Sequence, residues 1–449
     1  MTCQVRTGSR LLPGDRTLAG HVARHGTRPW CGDPWQREEL IREVERAGLA
    51  GRGGAGFPTA AKLRALAAAG AGRPERRVTR VIGNGVEGEP ASDKDKVLLA
   101  AAPHLVLDGA VAAAELIGAG EVVIVAHQSV CEIVGHAADE RQAWGWDPVP
   151  VRVVTAAGAF VAGEASAVVH WVERGVATPT GRPPRLDLRP ALVQNVETLA
   201  HLALILRYGS NWFRSAGSPE EPGSTLITVL GAVRRPGVYE IETGTPVGEL
   251  IELAGGAAAP LGGLLIGGYS GTWAEPAAAL PLPFSPAGLA AAGASPGCGM
   301  IAALPRTACG LSETARITRY LARSSAGQCG PCVFGLDAIA GRLERIAAVG
   351  RPGAAGRPGR LAAGGGGDVA PVHRWLGQVR GACRHPDGTA RMVASALRVF
   401  AAEAGLHAGG RCSATSTAAV LPVPSPSPSP GPGPGAGPGP GPGPGEAWP

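Results

Sequence analysis

A run of glycines between two helical segments is the first place in the sequence where residue types and spacing suit chemistry. The run reads GRGGAGFPTAAK over residues 51–62, with Arg52 inside it and Lys62 one turn into the next helix. Backbone N–H groups of glycine can approach a phosphate closely, and a helix N-terminus adds a positive field. The pattern therefore predicts a phosphate site, although a flexible turn between helices would explain the same glycines about as well. The glycines concerned are Gly51, Gly53, Gly54 and Gly56.

A second polar cluster, VIGNGVEGEPASDKDK at residues 81–96, completes a β-branched segment that predicts a strand ending in a turn. Its carboxylates could bind ribose hydroxyls, and the amide of Asn84 could hydrogen-bond a planar ring. For this stretch taken alone, a solvated charged loop is the simpler interpretation. The carboxylates are Glu87, Glu89, Asp93 and Asp95.

The elements around these two clusters predict an α/β domain over residues 41–215. EELIREVERAGLA has helical spacing, whereas EVVIVAH and VPVRVVTAAG are typical of buried strands. Strand, glycine turn, helix and strand in this order favour a mostly parallel sheet. The predicted helices and strands cover residues 38–50, 59–68, 76–85, 103–117, 121–127 and 149–158.

The rest of the chain divides into four regions. Residues 1–40 show no clear periodicity, so we expect a loosely ordered lead-in. Residues 220–275 combine strand, turn and strand signals with a short amphipathic helix, which predicts a small α+β module. Helical spacing returns over residues 305–408 and predicts a helical domain. Residues 412–449 are rich in proline and glycine and cannot bury apolar area, so we expect a disordered tail.

Composition excludes several classes of protein. The net charge is +6, but the basic residues are scattered singly, which argues against nucleic-acid binding. Nine cysteines in 449 residues are too sparse for a secreted disulfide scaffold. The sequence shows neither a signal-peptide pattern nor a run of about 18 apolar residues that would span a membrane. We therefore expect a cytoplasmic protein without membrane insertion, which can sit at the periphery of a membrane complex.

Five motifs in order carry a resemblance to a known family. The chain resembles the flavoprotein (F) subunit of NADH-quinone oxidoreductase, complex I, over roughly residues 45–405. This resemblance implies an FMN-binding α/β domain, then a small ubiquitin-like (SLBB-type) module and a helical bundle that holds a [4Fe–4S] cluster. The motifs are GRGGAGFPTAAK (51–62), NGVEGEPASDKDK (84–96), GAFVAGEASA (158–167), VQNVETLAHLA (193–203) and GQCGPC (327–332).

The resemblance also implies which residues hold the cofactors. Phe57 would stack against the nucleotide of NADH, and Glu89 would lie on the same NADH side. The implied chemistry is hydride transfer from nicotinamide to flavin N5, followed by single-electron release to an iron–sulfur centre. The residues implied to bind FMN are Gly51, Arg52, Gly53, Gly54, Gly56, Lys62, Asn84, Glu87, Gly163, Glu164, Asn195 and Thr198.

The sequence departs from the family at positions that belong to the nucleotide site. Ala165 stands where the family has a second carboxylate, Val86 replaces an aspartate, and Ala65 replaces an aromatic residue. The segment GRPPRLDLRPALVQ (181–194) lacks the family's Pro-Phe-Pro element. Each lost aromatic ring removes about 1 kcal/mol of stacking. We therefore expect FMN binding to persist and NADH binding to be weakened.

The cluster motif also departs from the family. A [4Fe–4S] cube takes one thiolate per iron, and the resemblance assigns Cys329, Cys332 and the distant Cys383 to it. One of the four positions is Ala326, which cannot ligate. Either one iron of the cluster is held by water or by a non-cysteine ligand, for which His385 and Ser325 are candidates, or no cluster forms. A lone CxxC fits equally a zinc site or two inert thiols. We interpret Cys298 and Cys309 as buried structural residues and assign no role to Cys412.

Two functions follow from these motifs and departures. The first is an NADH dehydrogenase type oxidoreductase that passes electrons from NADH through FMN to an iron–sulfur centre. Its partners would be other redox subunits or a ferredoxin. The alternative is a flavin-binding or partner-binding module, for example for a ferredoxin, that does not oxidise NADH and lacks a complete cluster.

Overall fold

The computed structural model describes residues 2–3, 9–12, 16–28, 34–70, 80–181, 191–349, 369–377 and 379–424. The strands among these residues form two sheets. One has four strands and the other has six, and a group of helices follows the second sheet along the chain.

The four-stranded sheet is parallel throughout, as the sequence predicted. Its strand order is β4-β3-β2-β5. Because neighbouring strands are parallel, helices connect each strand to the next one along the chain. In this register Asn84 at the end of β2 lies beside Asn195 at the end of β5. The strands are β2 (Arg80–Gly85), β3 (Val122–Ala126), β4 (Val151–Thr155) and β5 (Ala191–Asn195).

Helices cover this sheet and form its hydrophobic core. The most buried helix begins at Pro103 and ends before Gly118. Proline suits the first turn of a helix because it lacks an N–H, and Gly118 adopts the left-handed conformation that commonly ends a helix. The helices are α1 (Leu18–His25), α2 (Pro34–Ala47), α3 (Thr59–Gly70), α4 (Lys94–Ala101), α5 (Pro103–Ile117), α6 (Cys131–Ala143), α7 (Ala165–Arg174) and α8 (Val196–Arg214). Among the described helices, none alone is long and apolar enough to cross a membrane. Only α4 and α5, which meet at 96°, meet that length and composition together.

The six-stranded sheet is mixed, with the order β1-β7-β6-β10-β8-β9. β10 pairs parallel with β6 and antiparallel with β8. Three short helices, α9 (Val247–Leu253), α10 (Pro276–Ala279) and α11 (Pro286–Leu289), pack with this sheet. The strands are β1 (Thr2–Cys3), β6 (Ser224–Gly231), β7 (Gly237–Glu242), β8 (Leu261–Ile266), β9 (Thr272–Ala274) and β10 (Met300–Pro305).

The remaining described elements are helical. A turn of π-helix at Pro331–Gly335 lies between the first two of these helices and contains Cys332. The helices pack on one hydrophobic cluster together with residues of β6, β8, β9 and β10 of the second sheet. They are α12 (Gly310–Arg323), α13 (Leu336–Val349), α14 (Ala370–Leu376), α15 (His385–Val399) and α16 (Ala401–Ala408). The predicted succession of an α/β domain, an α+β module and a helical domain is therefore confirmed.

The first 40 residues contain regular elements that the sequence did not predict. β1 pairs with β7, and α1 contributes His21, whose Nε2 lies 2.8 Å from the Asp108 carboxylate of α5. Leu11, Leu12 and Leu18 are fully buried. The expectation of a loose lead-in is therefore wrong for these residues. Their apolar side chains are too few to show a period, yet they fill gaps in a core built by later segments.

Two predicted boundaries also need correction. The small module does not stop at residue 275, because β10 lies within its sheet between β6 and β8. The tail is ordered as far as residue 424: Leu421 is buried, and its N–H donates to Glu313 at 3.2 Å. Burial of a few apolar residues on the helical region explains this order in an otherwise polar segment. The prediction of disorder for residues 425–449 lies outside the described residues.

Candidate functional site

The glycine run forms a closed loop between α2 and α3. Its base is held by hydrogen bonds from Thr59 N–H to the Leu49 carbonyl and from Gly51 N–H to the Phe57 carbonyl, both 2.9 Å. Gly54 and Gly56 adopt positive φ angles of 93° and 62°, which side chains other than glycine rarely adopt. The loop therefore projects its backbone outward as a preformed surface.

This loop faces the carboxyl ends of the parallel strands. Asn84 and Asn195 end β2 and β5, where ligands commonly bind in open α/β sheets. The Asn84 amide donates to the Gly163 carbonyl at 2.9 Å, and the Asn195 amide donates to Asp95 at 2.6 Å. A Cβ added to Gly53 would lie 3.3 Å from the Asn195 Cβ. Loop and strand ends are thus in contact across one cleft.

The turn after β2 continues the wall of this cleft. Glu87 has a φ of 44° and accepts hydrogen bonds from the N–H groups of Asp95 and Lys96 at 3.1 and 2.9 Å, so it caps α4. Gly88 lies against the Phe160 carbonyl, where an added Cβ would be only 2.5 Å from the oxygen. A side chain at position 88 would therefore push the Phe160 segment away.

Loops of the second sheet close the cleft from the other side. The Glu89 carboxylate accepts a hydrogen bond from Tyr269 N–H at 2.7 Å. Arg391 of α15 donates to the Ser270 carbonyl at 2.6 Å, which adds a cation at the same edge. The sequence analysis missed these contributors, although the glycine-rich strand ends GGYSG and SPGCG are a signal for them. The missed lining residues are Gly88, Ser92, Lys94, Phe160, Gly267, Ser270, Gly271, Ser295, Gly297, Cys298 and Arg391.

The cleft has two adjoining compartments on either side of the glycine loop. One has a volume of about 300 Å³ and the other about 470 Å³, within the range of small-molecule sites. Lys94 lines both compartments, as do Arg52 and Gly54 of the loop. The predicted residues in the first compartment are Arg52, Gly53, Gly54, Asn84, Glu87, Glu89, Gly163 and Asn195. Those in the second are Gly51, Arg52, Gly54 and Gly56.

Four predicted residues lie outside both compartments. Thr198 supports the loop from below, because its hydroxyl accepts a hydrogen bond from Arg52 N–H at 2.8 Å. Glu164 caps α7 by accepting from Ser166 N–H at 2.9 Å. Phe57 is 58% exposed at the outer end of the loop. These residues position or flank the cleft and do not line it.

Lys62 is the fourth residue outside the compartments. Its ammonium donates to the Val193 carbonyl of β5, and burial lowers its pKa. It forms no ion pair with a carboxylate among the described residues. A half-buried ammonium without a counter-ion fits a site that receives an anion such as a phosphate.

Carboxylates at the cleft have shifted proton affinities. Burial raises the pKa of Glu89 to about 7, and burial together with the nearby Asp95 raises the pKa of Glu87 to about 7. Burial would lower the pKa of Lys94, but Asp95 and Glu197, at 2.7 and 2.8 Å, raise it overall. The cleft floor therefore carries a fixed cation beside carboxyl groups that can hold protons near neutral pH.

The structure explains one departure from the family and corrects the interpretation of Cys298. Val86 is 3% exposed and packs with Val168 and Ala162 in a hydrophobic cluster below the cleft. Cys298 was interpreted as a structural residue, but it lines the smaller compartment next to Gly268 and Glu89. A Cβ on Gly268 would lie 2.7 Å from its Sγ.

The three predicted metal-binding cysteines come together behind this cleft. Ala382 N–H donates to Cys329 Sγ at 3.5 Å, which brings Cys383 next to the CxxC turn. Burial and the neighbouring Cys329 raise the pKa of Cys332 to about 12. Cys383 lines a cavity of about 240 Å³ with Glu164 and His385. Cys383 therefore lies in the wall of a cavity beside the cleft, and Cys329 and Cys332 lie near it.

His385 has a feature relevant to the missing fourth cysteine. Its Nε2 lies 2.8 Å from the Leu321 carbonyl, so Nε2 carries the hydrogen and Nδ1 has the free lone pair. Nδ1 is buried and has no hydrogen-bond partner among the described residues. An orphaned buried imidazole nitrogen near Cys383 fits a metal ligand.

The comparisons with known proteins define the class of the chain. Residues 44–204 match the model of the Nuo51 FMN-binding domain, residues 226–263 the SLBB domain, and residues 312–407 the NADH-ubiquinone oxidoreductase-F iron–sulfur binding region. The fold and the cleft are thus those of a protein with an FMN-binding domain joined to an iron–sulfur region.

Similarity to individual proteins identifies the family. The F subunit of NADH-quinone oxidoreductase of Mycobacterium tuberculosis is 33% identical over 336 residues, covering 68% of this chain and 74% of that protein. Its counterpart in Streptomyces coelicolor is 32% identical over 402 residues, covering 83% and 84%. The chain belongs to the family of NADH-quinone oxidoreductase F subunits, as the motifs predicted.

A second group of relatives comes from a different complex. The alpha subunit of the NAD-reducing hydrogenase HoxS of Cupriavidus necator is 34% identical over 239 residues, covering 49% of this chain and 38% of that protein. A crystal structure of NAD⁺-reducing [NiFe]-hydrogenase superposes with a TM-score of 0.74 at 29% identity, over 90% of this chain and 67% of that one. The same fold therefore occurs in more than one kind of redox assembly.

Proposed function

We propose that the chain oxidises NADH at bound FMN and passes the electrons to an iron–sulfur centre. The observation that carries this proposal is the two-compartment cleft, in which the glycine loop, the parallel strand ends and the second sheet meet. A cysteine pocket, the cavity lined by Cys383, adjoins the cleft at Phe160, which lines both, and Cys329 lies next to it at Ala382. A nucleotide site and a metal site that share a wall suit electron transfer between them.

The residues at the cleft fit FMN. The loop backbone at Gly53 and Gly54 and the ammonium of Lys62 would receive its phosphate, while Asn84 and Asn195 would orient its ring system. When bound, FMN accepts a hydride from nicotinamide and can release the two electrons one at a time. The protein's task is to position the ring between the strand ends and the Phe160 segment and to keep water out.

NADH would enter past the outer end of the loop. Phe57 offers an exposed ring there for stacking on the adenine or nicotinamide, which typically contributes about 1 kcal/mol. Glu89, whose pKa burial raises to about 7, lines the smaller compartment and can accept a hydrogen bond or hold a proton there. The larger compartment leaves room for the second nucleotide.

The cysteine pocket fits a cluster with one unusual ligand. Cys329, Cys332 and Cys383 would supply three thiolates, and His385 Nδ1 would take the place of the cysteine that is Ala326 in this chain. Imidazole is an established ligand of iron in iron–sulfur proteins. This ligand set removes one negative charge relative to four thiolates, which raises the reduction potential of the site.

The electron acceptor would be another redox subunit or a small ferredoxin in the cytoplasm. Val333 and Phe334 follow Cys332 directly and are 48% and 75% exposed. Exposed apolar residues beside a metal site commonly mark a contact with a partner. We place the exit of electrons at this surface.

The alternative function, a flavin-binding or partner-binding module that does not oxidise NADH, rests on particular positions. The Glu164 carboxylate is occupied in capping α7, and Ala165 offers no second carboxylate. Loss of these contacts removes part of the recognition of NADH while leaving the flavin cleft intact.

An anaerobic experiment separates the two functions. The purified chain is loaded with FMN, its flavin and iron are quantified, and the flavin absorption band is followed after addition of NADH. Bleaching by NADH with retained flavin supports the dehydrogenase. A flavin that dithionite bleaches but NADH does not establishes the alternative.

A crossed pair of variants sharpens this test. Phe57→Ala should raise the NADH concentration for half-maximal bleaching about tenfold, because it removes a stacking ring, and leave transfer to a ferredoxin unchanged. Phe334→Ala should leave bleaching by NADH unchanged and slow reduction of the ferredoxin. If both variants changed NADH bleaching and ferredoxin reduction equally, the assignment of NADH entry to Phe57 and of electron exit to Phe334 would be wrong.

A further inference from the structure

Four side chains with metal-ligand atoms converge at one end of the helical region, apart from every residue assigned above. Cys309 Sγ, a Glu403 carboxylate oxygen, a His407 ring nitrogen and Cys412 Sγ all lie within 4.8 Å of one another. They come from three chain segments: the residue before α12, one face of α16, and the segment after α16. Convergence of four such groups from separate segments is what a metal site requires.

The orientation of His407 shows which of its nitrogens faces the cluster. Nδ1 lies 2.7 Å from the Ile346 carbonyl, which can only accept, so Nδ1 carries the hydrogen. Metal-binding histidines commonly hold their other ring N–H in this way. Nε2 then points at Cys309 Sγ and Glu403 Oε1, at 3.5 and 3.1 Å.

The contact between His407 and Glu403 needs a positive charge. Both Nε2 and Oε1 are acceptors in their ordinary states, so a proton or a metal cation must lie between them. A metal ion accounts for this contact together with the two thiols beside it, because thiolate, imidazole and carboxylate groups bind zinc jointly. The site is also enclosed, with His407 fully buried and Cys309 7% exposed.

We propose that Cys309, Glu403, His407 and Cys412 form a structural Zn²⁺ site. Zinc prefers four ligands in a tetrahedron and accepts thiolate, imidazole and carboxylate together. Two thiolates exclude Mg²⁺ and Ca²⁺, which take oxygen ligands. All four positions are filled by side chains, and a site without an open position is structural and not catalytic.

The proposed zinc site is distinct from the iron–sulfur region. Cys309 precedes α12, whereas Cys329 and Cys332 follow its other end, and 14 helical residues span about 20 Å. His407 contacts Ile346 near the end of α13, while Cys332 lies in the turn that leads into α13. The two groups of cysteines therefore lie at opposite ends of the same helix pair.

The zinc would fasten the segment after α16 to the start of α12. The N–H groups of Thr415 and Ser416 donate to the Thr307 carbonyl, and Ala308 bridges to Ser416. Beyond them Leu421 is buried against the helical region. Ser413 N–H also donates to Glu403, and the N–H groups of Val420 and Leu421 donate to Glu313. The metal would add a stronger link to these hydrogen bonds at Cys412.

The primary test uses the wild-type chain. It is purified anaerobically with a reductant, without chelators and with a tag that contains no histidine. Elemental analysis should find about one zinc per chain, and zinc-edge X-ray absorption should show two sulfurs at ~2.3 Å and two light atoms at ~2.0 Å. Absence of zinc, or a shell of three sulfurs that would place zinc at Cys329, Cys332 and Cys383, would overturn the proposal.

Matched variants assign the zinc to these residues. The double variant C309S/C412S should lose the zinc and keep its iron, whereas C329S/C332S should change the iron and keep the zinc. Zinc retained by C309S/C412S contradicts the assignment, as does a Cys309–Cys412 disulfide in a peptide map of the wild-type chain digested without prior reduction. If C309S/C412S does not fold, the number of sulfur ligands in the zinc-edge X-ray absorption of the wild type still tests whether zinc occupies this site.

Proteolysis tests the fastening role. Arg411 is exposed and directly precedes Cys412, so trypsin can remove the segment after it only when that segment detaches. Zinc removal by a strong chelator should accelerate this cleavage on the order of tenfold or more. The rate in C309S/C412S should be fast and indifferent to chelator. A wild-type rate that does not respond to zinc removal would exclude the fastening role.

Discussion

Glu89 shows how one residue at the cleft couples protonation to the fold. It is buried between the two sheets and accepts hydrogen bonds from Tyr269 N–H and Ala91 N–H. Burial raises its pKa from 4.5 to about 7. Between pH 4.5 and about 7, Glu89 is therefore protonated in the folded state and ionised in the unfolded state. The contribution of this residue to stability falls as the pH rises through that range.

Glu89→Gln should remove this dependence. Because glutamine resembles the protonated form, we expect the variant to match the wild type near pH 5 and to be more stable at pH 8. The shift from 4.5 to about 7 sets an upper bound of about 3 kcal/mol on the gain. Thermal unfolding at the two pH values measures it in the chain without added nucleotide.

An exposed glutamate provides the control for this prediction. Glu249→Gln on α9 should change the unfolding temperature little and equally at both pH values. If Glu89→Gln were equally destabilising at pH 5 and pH 8, the carboxyl would be ionised throughout, and the raised pKa would be wrong.

His385 supports a second prediction at the scale of single residues. If its Nδ1 replaces the cysteine missing at Ala326, His385→Ala should lower the iron bound per chain and alter the electron paramagnetic resonance of the reduced centre. In an Ala326→Cys background, the same change should leave the iron intact because a fourth thiolate is available. Loss of iron from His385→Ala in both backgrounds would show that the histidine only supports the fold.

At the scale of elements, the close contact between the β2–α4 turn and the Phe160 segment shapes the cleft. Gly88→Ala would place a Cβ 2.5 Å from the Phe160 carbonyl, so one of the two segments must move. We expect FMN affinity to fall at least tenfold, or about 1.4 kcal/mol, with the fold retained. Fluorescence titration with FMN measures the change.

Gly158→Ala is the matched control for this contact. It lies two residues before Phe160, and an added Cβ there would meet nothing within 4 Å. Flavin affinity should therefore stay at the wild-type value. An equal loss in both variants would mean that flexibility of the segment matters and that the Gly88 contact does not.

Elements built from one stretch of chain were the most predictable. The prediction for α5 had both ends right, because Pro103 and Gly118 mark them and the apolar residues between them are continuous. The motif residues Gly53, Asn84 and Asn195 were predicted for one site through the resemblance, and the structure places them together. Their assignment to FMN stays a prediction, because no ligand contact tests it.

What the sequence could not predict depends on contacts between distant segments. The loop at Gly267 and the helix residue Arg391 reach the cleft from the second sheet and from α15, and no local pattern links them to the glycine loop. Cys309 and His407 are 98 residues apart and share no motif spacing. Contacts of this kind can be identified only from the packed structure, because the residues that form them are far apart in the sequence.

At the scale of the whole molecule, one buried ionic group joins the two sheets. Lys94 of α4 pairs with Asp95 and with Glu197 of α8, at 2.7 and 2.8 Å. Glu197 in turn accepts from the Thr225 hydroxyl and from Leu226 N–H of β6, at 2.8 and 3.0 Å. Lys94 lowers the pKa of Glu197 despite its burial, so the carboxylate stays charged.

Glu197→Gln should therefore weaken the whole chain and not only the cleft. The change leaves the buried Lys94 ammonium with Asp95 as its carboxylate partner, and losing one partner of a buried ion pair typically costs up to about 3–5 kcal/mol. The surface variant Glu45→Gln, which breaks a pair with the half-exposed Arg64, should leave the unfolding midpoint nearly unchanged, because water screens the pair. Urea unfolding followed by tryptophan fluorescence compares the stability of the two variants.

Glu197 also makes a second prediction, because it links α8 to β6 of the second sheet. Its loss should separate a single unfolding transition into two, as the α/β domain and the second sheet cease to unfold together. A single transition at a nearly unchanged midpoint would show that apolar packing alone holds the sheets together.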